Sequence, residues 1–483
     1  MYNKPMNTPI YDFVQEYKTK RCIRAHMPGH KGLGPLGIED LDITEIAGAD
    51  ELYAADGIIA ESERNAGSIF GAHTFYSTEG SSLAIRAMVY LAYKYACVNS
   101  RYERCSERNS EHDSAHDLEH ESEGAACRPS EKPWILAGRN AHKTFLNTVA
   151  LLDIPVEWIY GEEGDSYESC TIDAYRLRQL LAYNSKNLPC AVYLTTPDYL
   201  GQLLDLEALA WVCHEYGVLL LIDNAHGAYL KFLTPSRHPM DLGADLCADS
   251  AHKTLPVLTG GAYLQISLAA DPFFAENARE AMELFGSTSP SYLILESLDL
   301  ANLYMESLPE KMQDFVQSVA NLKNSLSENG YKVTGDEPWK VTINPPAYGY
   351  HGEELADLVR AAGLEPEYCD DRHLVLMLTP QNSREDLDGI LRIFRAIPRR
   401  EPVEVEEEYR LTERPRQAMP MHAALFAETE ELPAEECQGR ILASAAVSCP
   451  PAVPLYMYGE EMGEKLPKGR KLRVVKNCSA KND

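Results

Sequence analysis

Between Trp134 and Ser267, short and nearly continuous apolar runs alternate with amphipathic stretches. The runs Trp134–Leu136, Val156–Tyr160, Ala191–Thr195, Val218–Asp223, Asp245–Ala248 and Ala262–Ile266 have the length and apolar content of strands covered on both faces. The intervening Ala141–Leu152, Asp173–Tyr183 and Asp205–Tyr216 carry apolar positions at helical spacing. Strand–helix alternation at this spacing predicts an α/β domain with a mostly parallel central sheet flanked by helices. Functional side chains are then expected at the carboxyl ends of strands and at helix starts.

Ser81–Cys97 also reads as a helix. Ala84, Ala87, Met88, Leu91 and Tyr95 share one face, and Ser81 or Ser82 supplies the cap. Asn99–Glu131 is different in kind. It is rich in Glu, Ser, Arg and His and nearly devoid of large apolar residues, so it cannot offset its ordering entropy by burial. It is read as an exposed acidic insertion. Within it His112, His116 and His120 repeat at four-residue spacing; a solvated polar run accounts for them without a metal.

After about residue 301 the pattern changes. Helical Leu303–Asn329, Glu353–Ala362 and Arg384–Ile397 mix with strand-like Lys340–Ile343 and His373–Leu378, which predicts a smaller α+β C-terminal domain. The expected organisation is an N-terminal segment (1–50), a large domain (51–300), a small domain (301–400), its C-terminal part (401–464) and a basic, frayed tail (465–483).

Composition narrows the class. The 483 residues carry a formal net charge of −28, which disfavours nucleic acid and anionic membranes as partners. No apolar run reaches the roughly 18–20 residues of a membrane span, and Met1–Tyr11 lacks the apolar core of a signal peptide. The twelve cysteines include no C-x-x-C pair, and Cys190, Cys213 and Cys247 lie in or beside apolar runs. Reduced, buried thiols and a cytoplasmic location are expected, with no metal site.

Four clusters carry candidate chemistry. Lys253, in Asp249-Ser250-Ala251-His252-Lys253-Thr254, follows a predicted strand in a buried-looking segment. A lysine is seldom buried without a partner or a task, and a lysine amine can form an imine with an aldehyde. Asp223 ends the apolar strand before the turn Asn224-Ala225-His226-Gly227; a carboxylate there suits a protonated pyridine nitrogen. The turn Ser77-Thr78-Glu79-Gly80-Ser81-Ser82 opens the strong helix and suits a phosphate. His142, at a strand end and helix start, suits stacking on a planar ring. Each feature alone has an ordinary structural reading; their order along one chain is what distinguishes them.

Together they resemble the Orn/Lys/Arg decarboxylase family of fold type I pyridoxal 5′-phosphate (PLP) enzymes, in its short bacterial form without the N-terminal regulatory domain. The resemblance rests on Met27-Pro28-Gly29-His30-Lys31-Gly32, Asp42-Ile43-Thr44-Glu45, Gly48-Ala49-Asp50, Asp223–Gly227, Ser250–Pro256, Thr288-Ser289-Pro290-Ser291-Tyr292 and Pro450–Pro454. It implies that Lys253 carries PLP and that Asp223 holds the ring nitrogen. It places His142 on one ring face, Ala225 on the other and His226 near the substrate carboxylate. Gly80, Ser81, Ser82, Ser250 and His252 would form the phosphate site. Thr288 or Ser289 would reach the phosphate of a second subunit, making a homodimer with shared sites. Lys253 or His252 would return a proton after CO2 leaves, and Glu460 would read the substrate's distal cation.

The implied reaction is decarboxylation of lysine, arginine or ornithine. Another PLP-dependent amino-acid reaction, such as transamination or elimination, and a catalytically silent regulatory relative stay open on the same cofactor site. Three departures stand out. Glu79 occupies the phosphate turn where the family has N-G-S-T, Gly260 replaces a glutamine, and Ala452 replaces the glycine of P-P-G-I-P.

Overall fold

The computed structural model describes residues 6–111, 132–161, 166–405, 414–445, 452–463 and 470–476. Its centre is a seven-stranded sheet of β1 (Ala72–Ser77), β2 (Ile135–Gly138), β3 (Val156–Ile159), β4 (Ala191–Thr195), β5 (Leu219–Asp223), β6 (Leu246–Asp249) and β7 (Ala262–Ser267). The spatial order is β1-β7-β6-β5-β4-β2-β3. Strands β2 to β6 are parallel, whereas β7 runs antiparallel to both β6 and β1. The apolar runs of β2 and β6 are buried throughout, and β4 and β5 nearly so, because helices cover both faces.

Helices α1 (Pro9–Lys20), α2 (Ile58–Phe70), α3 (Gly80–Glu111), α4 (Lys143–Leu151), α5 (Ala174–Tyr183), α6 (Leu206–Glu215), the single turn α7 (Ala251–Thr254) and α8 (Pro272–Glu283) accompany this sheet. Side chains fix several starts. Asp173 accepts from the amide of Arg176, Asp205 from Ala208 and Asp271 from Phe273, each satisfying an orphan helix donor. The polar sequence after Cys97 does not end α3, which continues to Glu111. His112, His116, His120 and the rest of the acidic insertion lie outside the described residues.

The expected boundary near residue 301 falls inside α9 (Tyr292–Glu328), a 37-residue helix that contains Pro309. Its apolar stripe begins at Tyr292 and Leu295 under the large sheet and ends at Leu322 and Leu326 under the small one, so one helix joins both cores. The small sheet, β8 (Lys332–Thr334), β9 (Lys340–Asn344), β10 (Tyr368–Cys369) and β11 (Leu374–Met377), is antiparallel in the order β10-β11-β9-β8. It packs with α10 (Gly352–Ala361) and α11 (Arg384–Ala396), the latter started by a Ser383–Asp386 capping box.

Several contacts fasten the small sheet to the large domain, two of them through buried tyrosines. Tyr229 stacks on Trp339 with centroids 3.7 Å apart and planes at 10°, and its hydroxyl bonds Glu337. The Tyr368 hydroxyl lies 2.5 Å from Glu168 Oε1 and 2.8 Å from Asp370 Oδ2, with His373 Nδ1 3.1 Å from the same Asp370 oxygen.

The C-terminal part departs from expectation. It does not extend the small domain: Met421, Ala424, Met457 and Tyr458 join the core formed by α3, α4 and the large sheet. Helix α12 (Met421–Phe426) packs on α4, and the Tyr458 hydroxyl donates to Asn147. Nor is the basic tail wholly frayed, since β13 (Lys471–Val475) pairs with β12 (Thr429–Pro433) and buries Leu472 and Val474. The alternating Leu472/Val474 spacing carried that strand signal, but lysines and arginines masked it. Among the described residues no helix is long and apolar enough to cross a membrane.

Two outcomes follow from this packing. Ala452 has φ +55°, a left-handed conformation costly for a residue with Cβ, and its carbonyl accepts from the Lys143 amide at the start of α4. Restoring glycine, Ala452→Gly, is expected to stabilise the fold by about 0.5–1 kcal/mol in denaturant unfolding. Burial, helped by the charge of Asp370, raises the Glu168 carboxyl to about 7 against the pull of Tyr368 and His373. The folded state therefore favours protonated Glu168. Its contribution is full below the ordinary carboxylate range and is lost as pH rises through about 7. Thermal midpoints of Glu168→Gln should fall less than wild type's over that interval.

Candidate active site

Adjacent parallel strands bring the predicted residues together. Register pairs Asp223 with Ala248, so the ends of β5 and β6 lie side by side. Asp223 is buried. Its Oδ2 accepts from the Tyr193 hydroxyl at 3.1 Å and its Oδ1 from the Ala225 amide at 3.2 Å. Burial pushes its carboxyl up, and the positive charge of Lys253 opposes that shift.

Lys253 lies in the single turn α7 directly after β6, and its Nζ is 3.0 Å from His226 Nε2. His226 is buried, and burial, reinforced by Lys253, holds its imidazole well below the usual histidine range. The ring is thus neutral. With the Lys253 ammonium donating to Nε2, the ring proton sits on Nδ1, a buried atom without a hydrogen-bond partner. An orphan donor of this kind invites an acceptor from a bound molecule.

The turn expected to meet a phosphate is assembled from three elements. Gly80 opens α3 at φ +72°, and its amide donates to Gly260 O at 2.7 Å. Ser250 Oγ donates to Ser81 Oγ at 2.7 Å. Ser82 Oγ is 3.2 Å from Thr144 Oγ1, which is 3.0 Å from His142 Nδ1. His142 is the N-cap of α4 and accepts from the Thr144 amide. Burial and the charges of Lys253 and Lys143 lower its imidazole to about 4. His252 bonds Gly261 O through Nδ1 at 3.1 Å, and burial lowers its pKa as well.

Two departures acquire physical reasons here. Gly260 has φ +105°, and a Cβ added to it would stand 2.7 Å from Thr78 O, so the turn beside Gly80 requires glycine. Glu79 turns its carboxylate to the Ser287 amide at 2.6 Å, which ties the phosphate turn to the segment before Thr288 and Ser289. Those two residues are exposed.

Glu460 departs from the role implied for it. It is 1% exposed, and its Oε2 takes Arg139 Nη2 at 2.9 Å and the Met457 amide at 2.7 Å. Arg139 also donates to the carbonyls of Pro454 and Leu455. The charge expected to meet a substrate cation is answered within the chain.

Sequence reasoning missed Tyr193, Thr144 and Tyr199. The Tyr199 ring meets His226 edge-on at 5.0 Å. Its position four residues past β4 was the available signal, since strand ends line such sites.

The arrangement fits PLP. It offers a lysine amine, a buried carboxylate at a strand end, an orphan imidazole donor and a hydroxyl-lined helix N-terminus, all along one edge of the sheet. Comparison with known proteins agrees. The models for the major and C-terminal domains of Orn/Lys/Arg decarboxylases match residues 124–344 and 404–481. An arginine decarboxylase of Bacillus subtilis is 26% identical over 95% of this chain and 92% of its own length. One from Bacillus cereus is 24% identical over 94% and 96%. Lysine decarboxylase A of Pseudomonas aeruginosa superposes with TM-score 0.73 at 17% identity, over 97% of this chain and 80% of that one. The constitutive lysine decarboxylase of E. coli gives 0.70 at 16%, over 98% and 82%. The cofactor-shaped strand ends, the fold and the matched domains together make this chain a member of the Orn/Lys/Arg decarboxylase family and a PLP-dependent decarboxylase.

Proposed function

We propose that the chain removes CO2 from a basic L-amino acid, with arginine ahead of lysine and ornithine. The observation that carries the chemistry is the Lys253–His226 contact beside buried Asp223. Arginine is favoured because the full-length relatives reported above are arginine decarboxylases, whereas the lysine decarboxylases resemble this chain in fold.

Bound PLP supplies an aldehyde that condenses with amines and a conjugated ring that accepts the electron pair left as CO2 departs. Lys253 is the residue that would hold it covalently. Asp223, kept dry and fixed by Tyr193 and the Ala225 amide, would secure the ring-nitrogen proton. His142 and Ala225 would bound its two faces. Gly80, Ser81, Ser82, Ser250 and His252 would hold its phosphate, where the positive end of α3 favours an anion. His226, neutral and with an unpartnered Nδ1, would present a hydrogen bond to the substrate carboxylate without competing for its charge. Lys253, released by the incoming amine, would return the proton that replaces CO2, with His252 as the other donor on the same turn.

Thr288 or Ser289 would reach the phosphate site of a second copy, giving a homodimer. Support comes from their exposure and from Ile23, Leu33 and Leu36, which are 97%, 80% and 78% exposed along the N-terminal arm.

Purified enzyme supplied with arginine, lysine and ornithine separately should release CO2, fastest from arginine. A keto acid instead of CO2 and an amine would identify a different PLP reaction. Lys253→Ala should abolish turnover and the visible absorbance of the bound cofactor. Asp223→Asn should lower kcat by on the order of 10²–10⁴-fold while leaving the fold intact by circular dichroism. Gly260→Ala should weaken PLP retention on dialysis, because its Cβ would displace Thr78 and the amide of Gly80.

A further inference from the structure

The committed state of Glu460 leaves open which group meets the distal cation of a basic substrate. Around the site most carboxylates are already spoken for. Asp223 faces Tyr193 and Ala225, and Asp198 takes Ser169 and the Gln202 amide. Asp370 takes His373, and Glu168 is a buried acid held against Tyr368. Glu367 is different. It is exposed, and the positive charge it couples to among the described residues, that of buried Lys340, is held by hydrogen bonding to Asp198 O. Yet it is held in place. Its amide donates to Val375 O at 2.9 Å, which fixes its backbone at the edge of β10 and β11. Its Oε1 accepts the Tyr199 hydroxyl at 2.8 Å.

Tyr199 connects this carboxylate to the reacting groups. Its ring sits edge-on to His226 at 5.0 Å, and His226 Nε2 lies 3.0 Å from Lys253 Nζ. The charge of Glu367 is also felt at His252, the neighbour of Lys253. On the small-domain side of this run, Lys340 Nζ donates to Asp198 O and lies 5.8 Å from the Tyr199 ring centroid. The cation of Lys340 is therefore anchored beneath the tyrosine.

We propose that Glu367, oriented by Tyr199, is the specificity-determining residue that receives the distal ammonium or guanidinium of the substrate. This rests on the reading of the chain as a basic amino-acid decarboxylase. A carboxylate pre-oriented by a neutral hydroxyl keeps its charge for the ligand, and the orienting bond lowers the entropy lost on binding. A neutral side chain in place of the substrate cation would leave the carboxylate unanswered, which is the basis of discrimination.

The test uses PLP-loaded wild type, Glu367→Gln and Tyr199→Phe. Binding is read from the change in cofactor absorbance on titration with arginine, lysine, and their neutral analogues citrulline and norleucine; CO2 release is measured in parallel. The expected result is a preference for the basic member of each pair in wild type. Glu367→Gln should weaken the basic ligands by on the order of 10–100-fold, leave the neutral ones little changed, and raise KM more than it lowers kcat. Tyr199→Phe should give a smaller loss of the same kind. Preference retained in Glu367→Gln would overturn the proposal, as would a wild type that does not favour basic ligands. Preference lost in Glu367→Gln with no CO2 from any ligand would support the recognition role and refute decarboxylation.

Discussion

The site depends on one buried carboxylate at the end of β6. Asp249 is fully buried, and four groups surround it. Asn224 Nδ2 donates at 2.6 Å, Gln265 Nε2 at 3.2 Å, His238 Nε2 lies 3.2 Å away, and Cys247 Sγ is 3.7 Å away. Gln265 is itself held by Thr74 across β7 and β1. An unpaired anion at this depth would cost several kcal/mol, so the four strands around it are constrained to the register that satisfies it. Asn224 follows Asp223, and Asp249 precedes the turn bearing Ser250 and Lys253. The Asn224–Asp249 bond therefore sets the spacing between the two groups proposed to hold the cofactor, Asp223 and Lys253.

From that register the remaining parts take their places. The antiparallel pairing of β7 with β6 carries Gly260 to the mouth of α3, where its carbonyl meets the Gly80 amide. The loop after Asp223 leads through His226 to Tyr229, whose stack on Trp339 docks the small sheet. The docked small sheet then presents Glu367 to Tyr199. The C-terminal segment closes the opposite side, with Ala452 capping α4 beside His142 and Glu460 neutralising Arg139. Structural stability and site geometry thus share the same contacts.

Much of this was legible in the sequence because continuous apolar runs mark buried parallel strands. The residues Lys253, Asp223 and His226 sit where such strands end. Strand β1 was not legible, since its alternating Ala72-His73-Thr74-Phe75-Tyr76-Ser77 lacks a continuous apolar run and pairs antiparallel with β7. Long-range partners were also hidden. Nothing near Glu367 in sequence announces Tyr199, and nothing near Glu460 announces Arg139, because those pairs exist only once the domains have docked. The need for glycine at position 260 is a matter of φ and of a carbonyl 182 positions upstream, at Thr78, which no local pattern in the sequence announces.

Lys253, among the lysines of this chain, is the residue proposed to carry the cofactor. Borohydride reduction of PLP-loaded protein, followed by proteolysis and mass spectrometry, tests it directly, because reduction makes the link between an amine and PLP permanent. A phosphopyridoxyl group is expected on the peptide containing Lys253. A label confined to another lysine, such as Lys143 or Lys340, or no label on protein incubated with PLP, would contradict it.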